Sequence, residues 1–271
     1  MDETAPYGTY APSGIVRWAI EHTRTLPDSW AGRRLTFVLR RLAIASLKGA
    51  PVDIEALGAR MRLHPYNNIG EKRVLFTPQF FDPEELNTIK SRLVGGFTFI
   101  DIGASIGAYS LAVASFAGPS ARILAVEPHP DIFDRLTYNI GLNPFGTIKA
   151  VACAIADKPG ELTLFLDPRN SGQSSVKIIG VSQATIRVPA TTLLQLARNE
   201  RVDHLDAVKL DVEGAEDLIL EPFLRDAPEA LYPSLLILGS REWQTDLLSL
   251  LASHGYRMRA QTRMNYVLER P

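Results

Sequence analysis

Apolar residues recur at helical spacing early in the chain and in short, closely set runs later on. Ile15, Trp18 and Ala19, then Leu35, Val38, Leu39, Leu42 and Leu47, predict two helices within 13–48, separated by a break at Leu26-Pro27-Asp28. Between Met61 and Phe81 the pattern is mixed. Asn67-Asn68-Ile69-Gly70 followed by Val74-Leu75-Phe76 reads as a turn with short strands around it. Asp82 as N-cap and Pro83 at the first helical position start another helix.

From Phe97 onward the period alternates. Apolar runs at 97–102, 122–127, 147–155, 206–211 and 234–239 predict strands, and helical patterns fill 106–117, 130–142, 191–200, 215–224 and 242–254. That alternation predicts a doubly wound α/β domain with a mostly parallel sheet. Residues 160–190 interrupt it as an inserted pair of strands around a polar loop. The strand-like segments 255–259 and 264–268 are joined by a link too short for a parallel crossover, so they should form an antiparallel hairpin. The expected organisation is a helical N-terminal extension over 1–60 and an α/β domain over 61–271.

Composition narrows the function classes. With 29 basic and 30 acidic residues in 271, the net charge of -1 offers no global field toward nucleic acid or an anionic membrane, and a small or locally recognised substrate is favoured. Arg33, Arg34, Arg40 and Arg41 give the second helix a basic face, which reads as a solvated face in preference to a contact with an anionic surface or polymer-linked substrate. Cys153 is the only cysteine, which excludes an intrachain disulfide and a cysteine zinc site and fits a reducing compartment. The segment Met1 to Pro6 carries acid where a secretory signal needs base, and the apolar stretch 35–47 is broken by Arg40 and Arg41. The expectation is a soluble, cytoplasmic protein without a transmembrane segment. Nothing in the sequence decides its oligomeric state.

Candidate chemistry begins at Phe99-Ile100-Asp101-Ile102-Gly103-Ala104-Ser105-Ile106-Gly107, a buried strand running into a glycine-rich turn and a helix. Gly103 and Gly107 let the backbone approach a ligand, although a purely structural turn has the same glycines. Asp101 discriminates. A dinucleotide would bring an anionic pyrophosphate against this carboxylate, whereas S-adenosylmethionine brings an ammonium and a sulfonium. Glu127, ending Leu124-Ala125-Val126-Glu127-Pro128, can accept from both hydroxyls of a ribose, which specifies adenosine and no more. After the third strand, Ala154-Ile155-Ala156-Asp157 is placed against the adenine, with Asp157 accepting from its amine; a turn-forming Asp before Lys158-Pro159-Gly160 is the alternative. In Val208-Lys209-Leu210-Asp211-Val212-Glu213-Gly214-Ala215-Glu216 the acids follow the fourth strand, at the end of the sheet where ligands bind. Asp211 is the first candidate base for a hydroxyl acceptor and Glu213 the second, with helix capping as the other reading of Glu213. Asp211, Glu213 and Glu216 could in principle supply metal oxygens, but solvated or capping acids are the simpler reading, and no metal is expected.

Taken in order, these motifs resemble the FkbM family of methyltransferases. Residues 99–111 are similar to its first motif, Ala125-Val126-Glu127-Pro128-His129-Pro130 and Asn139-Ile140-Gly141-Leu142-Asn143 to its second, and 208–216 to its Asp-Val-Glu-Gly-Ala-Glu signature. The resemblance spans about residues 60–270. It implies a class I methyltransferase, Rossmann-like sheet with an antiparallel last strand, S-adenosylmethionine as methyl donor, and O-methylation of a hydroxyl on a sugar, glycan or secondary metabolite. Asp101, Gly103, Ala104, Ser105, Gly107, Glu127, Pro128, Ala156, Asp157 and Asp211 inherit cofactor contacts, Asp211 and Glu213 face the acceptor, and the loop 171–175 comes near the site. Two departures stand out: Ser105 replaces the usual Asn, and no acid occupies Leu238 or Gly239, where the family commonly has Glu. Loss of that Glu leaves a different acceptor, a substitute role for Glu242, or a silent partner-binding relative as alternatives. A nicotinamide oxidoreductase is disfavoured by the Asp-x-Gly turn.

Overall fold

The structure is a computed structural model that describes residues 5–66, 68–166, 174–175, 185–212, 214–239 and 243–271. The lead-in contains the two expected helices, α1 (Gly14–Thr23) and α2 (Trp30–Leu47). Ser29 caps α2, its hydroxyl accepting from the Gly32 amide at 3.0 Å. Val16, Ala19 and Ile20 of α1 and Leu39 and Ala43 of α2 are buried, and they belong to the same hydrophobic cluster as the first face of the main sheet.

The segment that follows departs from expectation. Residues 52–63 are not a continuation of the helical lead-in but a hairpin of β1 (Val52–Ala56) and β2 (Ala59–Leu63), turned by Leu57 and Gly58, both with positive φ. Conversely, Val74-Leu75-Phe76 lie in a helix, α3 (Ile69–Phe76), started by Asn68, whose side chain accepts from Glu71. All three are fully buried, and a contiguous apolar triplet satisfies a buried helix as well as a strand. Arg62 on β2 pairs with Asp53 on β1 at 2.7 Å and both are buried. Asn139 then clamps the hairpin to the domain, accepting from the Arg62 amide and donating to the carbonyl of Ile106 in the glycine-rich turn. Pro83 opens α4 (Pro83–Lys90), yet the Asp82 side chain makes no capping bond.

The domain continues as β3 (Thr98–Ile102), α5 (Ala108–Ala117), β4 (Arg122–Val126), α6 (Pro130–Gly141), β5 (Ile148–Val151), β6 (Ala154–Ile155), β7 (Gly160–Leu166), β8 (Ser174–Ser175) and β9 (Thr185–Thr191). It closes with α7 (Leu193–Asn199), β10 (Ala207–Leu210), α8 (Glu216–Asp226), β11 (Leu235–Gly239), α9 (Leu247–Ser253), β12 (Arg257–Gln261) and β13 (Asn265–Glu269). Seven strands form the main sheet in the order β12-β13-β11-β10-β3-β4-β5. β5, β4, β3, β10 and β11 are parallel neighbours, and β13 runs antiparallel between β11 and β12. The expected terminal hairpin is therefore present, with a register shift between Met258 and Ala260.

β3 shows why the sheet has two covered faces. All five of its residues are buried; Phe99 belongs to the cluster under α5, while Ile100 and Ile102 belong to the cluster under α7, α8 and α9. Near-continuous apolar runs are what a parallel strand buried on both sides requires. The expected strand over 147–155 divides: β5 ends at Val151, and Ala154 and Ile155 leave the main sheet to pair with Ala190 and Thr191 of β9. β7 and β9 form the inserted antiparallel pair.

Candidate functional site

Between β3 and β10 the order of connections reverses, and a crevice opens at the carboxyl ends of β3, β4 and β10. It is a cavity of about 370 Å³ bordered by the glycine-rich turn, the ends of β4 and β10, the start of α3 and the β12–β13 turn.

One end is made by the turn. Gly103 has φ 78°, and a β-carbon there would lie 2.4 Å from the Asp211 carbonyl oxygen. Only glycine fits. Gly107 has φ 91°, and a β-carbon would meet Leu136 of α6 at 2.7 Å. Ser105 sits at φ 51°, a left-handed conformation that Asn adopts more readily than Ser. The family's Asn at this position thus has a backbone reason, and its replacement leaves the turn intact. Ala104, Ser105 and Pro128 line the cavity.

Asp101 is held from one side only. Its Oδ2 accepts from the Ser110 amide at 3.1 Å and the Ser110 hydroxyl at 2.7 Å. Among the described residues its buried Oδ1 has no hydrogen-bond partner, and Lys209 Nζ stands 4.0 Å from it as a long ion pair. Burial pushes the Asp101 carboxyl up, against the pull of Lys209 and Ser110. A buried carboxylate oxygen without a hydrogen bond is costly, and a ligand ammonium in the cavity would relieve that cost. Glu127 ends β4 with Oε2 accepting from the Ser105 amide and Oε1 from the His129 amide, each at 2.9 Å. Burial raises its carboxyl to about 7 despite these two donors. Each oxygen retains acceptor capacity for a ribose hydroxyl. These residues fit the ammonium and ribose of S-adenosylmethionine.

Of the segment 154–157, Ala154 and Ile155 line the cavity wall together with Cys153, whereas Ala156 and Asp157 are not brought to it and Asp157 is exposed. The cause is the break after β5, which turns the chain into β6 earlier than an unbroken strand would. The Cys153 thiol is buried and pushed up to about 11 by that burial, which makes it a wall atom and not a nucleophile.

The other end is made by side chains from distant segments. Asp211, just past β10, lines the cavity with its carboxylate half exposed, and its Oδ2 accepts from Lys209 Nζ at 3.2 Å. Lys209 is buried within β10, its ammonium 4.8 Å from the centre of the Tyr109 ring. Burial opposes its charge, but Asp211 and Asp101 outweigh burial and keep it protonated. The Tyr109 hydroxyl donates to Asp82 at 2.8 Å, Arg73 pairs with Asp82 at 2.5 Å, and Asn265 donates to Asp82 and to Glu85 at 3.3 and 2.7 Å. These bonds hold Asp82 at φ 42° before Pro83, a backbone state that is unfavourable there. Its carboxylate serves this network instead of capping α4.

Glu216 is fully buried; its carboxylate accepts from the Val212 and Gly214 amides at 3.1 and 3.4 Å and from Trp243 Nε1 at 3.0 Å. It shapes the 211–215 loop. Asp217 accepts from the Gln244 and Thr245 amides and anchors the segment before α9. A β-carbon at Gly239 would lie 3.2 Å from Asp211 Oδ1, so an acid at this place would stand against Asp211. Glu213, Glu242 and residues 171–173 lie outside the described residues; of the loop 171–175 only Ser174 and Ser175 are described, as β8. Lys209 and the Asp82 network were not anticipated. The available signal was a lysine inside an apolar strand with both faces covered.

A parallel α/β sheet whose last strand runs antiparallel, carrying an acid before the glycine turn and another after the second strand, is a class I methyltransferase domain. The Methyltransferase FkbM domain family matches residues 101–258. The chain belongs to the FkbM methyltransferase family. It is 30% identical over 152 residues to Methyltransferase sdnD of Sordaria araneosa, covering 45% of this chain and 58% of that one. It is 29% identical over 121 residues to the Hexuronic acid methyltransferase AglP of Haloferax volcanii, covering 45% of this chain and 47% of that one. The chain thus spans about half the length of these curated relatives. Among solved structures, the METTL16 MTase domain matches 95% of this chain and 91% of its own at 16% identity and a TM-score of 0.50, a likeness of fold.

Proposed function

We propose that the protein is an S-adenosylmethionine-dependent O-methyltransferase acting on a hydroxyl of a sugar, glycan or small secondary metabolite. The observation that carries the reading is one cavity joining Asp101 and Glu127 to Asp211. S-adenosylmethionine, when bound, supplies a methyl group on a sulfonium. The buried Oδ1 of Asp101, which has no hydrogen-bond donor among the described residues, would accept from the ammonium, and the two oxygens of Glu127 would accept from the ribose hydroxyls. Pro128, Cys153, Ala154 and Ile155 form an apolar wall for the adenine. Asp211 would orient the acceptor hydroxyl and take its proton, and Lys209 fixes the position of that carboxylate. Gly239 leaves space beside Asp211 where a side chain would crowd it.

A sugar acceptor draws support from the relative named a hexuronic acid methyltransferase. A cytoplasmic setting goes with this reading and is supported by the single, inert cysteine. The test is transfer of labelled methyl from S-adenosylmethionine to a panel of monosaccharides, uronic acids and hydroxylated metabolites. Turnover that drops about 100-fold or more in Asp211→Asn supports the reading. Binding of the donor with no turnover on any acceptor, or turnover indifferent to Asp211→Asn, would refute it.

A further inference from the structure

Seven of the eleven large apolar side chains exposed among the described residues lie on α1 and α2: Ile15 and Trp18, then Trp30, Leu35, Phe37, Val38 and Leu42. Trp30 is 72% exposed and Phe37 56%. A concentration of this kind on one helical hairpin marks a surface that meets a partner. The same stretch, 13–48, carries seven basic residues and two acidic ones, so it is strongly cationic in a chain whose net charge is -1. The two properties are interleaved. Arg34 stacks over Trp30 at 4.6 Å and Arg40 over Phe37 at 5.7 Å, and only Arg33 of the α2 arginines is paired to an acid, Asp28, among the described residues.

From this placement we infer that the α1–α2 hairpin is a docking surface for an anionic lipid bilayer. The bilayer boundary takes both halves of the surface at once: indole, phenyl and leucyl groups enter the headgroup region while guanidinium groups meet lipid phosphates. A second copy of this chain fits less well, because a two-fold contact would set this cationic face against itself. A nucleic acid would neutralise the arginines but leave Leu35, Val38 and Leu42 in water. The hairpin does not cross the membrane; no described helix is long and apolar enough to do so. It lies on it.

The hairpin also sits beside the site. The Arg24 side chain, just after α1, donates to the Leu75 carbonyl of α3 at 3.2 Å, and Gln79 donates to the Thr23 carbonyl at 3.1 Å. The first turns of α3 wall the cavity, where exposed Ile69 stands. Docking therefore puts the acceptor end of the cavity next to the surface that is held.

The experiment is flotation of the full chain with vesicles of phosphatidylcholine alone and of phosphatidylcholine with an equal part of phosphatidylglycerol, at low and high salt. The expected result is at least about tenfold stronger binding to the anionic vesicles, lost at high salt, with a blue shift in tryptophan emission. Trp30→Ser with Phe37→Ser, and separately Arg33→Gln with Arg34→Gln and Arg41→Gln, should each cut binding at least about tenfold at an unchanged melting temperature. Should either variant fail to fold, the salt dependence and emission shift of the wild-type chain decide. Equal affinity for neutral and anionic vesicles, or no affinity for either, overturns the inference. So does a dimer in sedimentation that both variants abolish, or preferential retention of an oligonucleotide over the anionic vesicles. None of these readouts depends on methyl transfer.

Discussion

The two ends of the cavity are built by different means. At the Asp101 end the ligand surface is mostly backbone and neighbouring sequence: a nine-residue strand-turn segment, 99–107, places Asp101, Gly103, Ser105 and Gly107, and Glu127 closes it through two amide bonds. At the Asp211 end the surface is a side-chain network collected from α3, the loop before α4, α5, β10 and the β12–β13 turn. A rigid turn can serve one invariant cofactor, whereas a network of exchangeable side chains can be refitted to new acceptors. The family departure at Gly239 falls at the second end, and the departure at Ser105 falls at the first, where the backbone keeps a left-handed φ of 51°.

The comparison is broken most sharply by Gly103→Ala. With a β-carbon 2.4 Å from the Asp211 carbonyl oxygen and φ at 78°, the variant should lose about 3 kcal/mol or more of stability in a denaturant titration, together with cofactor binding. If it folds and binds normally, the backbone account of this end is wrong. Next is Asp101→Asn, which keeps the shape and removes the charge; loss of a charged hydrogen bond should weaken S-adenosylmethionine binding about 10- to 100-fold. At the opposite end, Tyr109→Phe should raise the acceptor KM and lower stability by about 1 kcal/mol, leaving donor affinity within twofold or so. A donor affinity that falls with it would show that the ends are not separable.

A pH series separates binding from stability without a substitution. The Glu127 carboxyl titrates near 7 in the folded chain because it is buried, and near 4.3 when unfolded. Between these values the folded state keeps a proton that the unfolded state has released, so this group lowers stability as pH rises, by up to about 1.4 kcal/mol per unit. Cofactor affinity should move oppositely, rising through pH 7 as the carboxylate forms. Glu127→Gln should flatten both slopes; a wild-type affinity independent of pH between 5.5 and 8 would contradict the assignment. The smallest expected change is Ser105→Asn, a gain of about 0.5 kcal/mol in stability with donor affinity unaltered.

This division also explains what could be read from the sequence. Asp101, Gly103, Gly107, Glu127 and Asp211 were legible because each sits at a strand end defined by an apolar run, so chain position alone fixes its place in the crevice. Ala156 and Asp157 fall off the cavity wall because the run 147–155 hides a break: nothing apolar or polar marks Val151 as the point where the chain leaves the main sheet, which is set by the pairing of Ala154 and Ile155 with β9. Val74-Leu75-Phe76 was read as a strand because three consecutive apolar residues carry no period. The network around Asp82 could not be read at all. Asp82 and Asn265 are 183 residues apart, and Asp82 before Pro83 has the local signature of a helix cap that the tertiary contacts override.

The central claim, that Glu127 and the glycine-rich turn hold S-adenosylmethionine, is tested most directly by calorimetric titration of S-adenosylmethionine, and separately of NAD, into the wild-type chain and Glu127→Ala. The account predicts saturable one-site binding of S-adenosylmethionine to the wild type, about 10- to 100-fold weaker in the variant, and no binding of NAD to either. Unchanged affinity in Glu127→Ala, or NAD binding in place of S-adenosylmethionine, would contradict it.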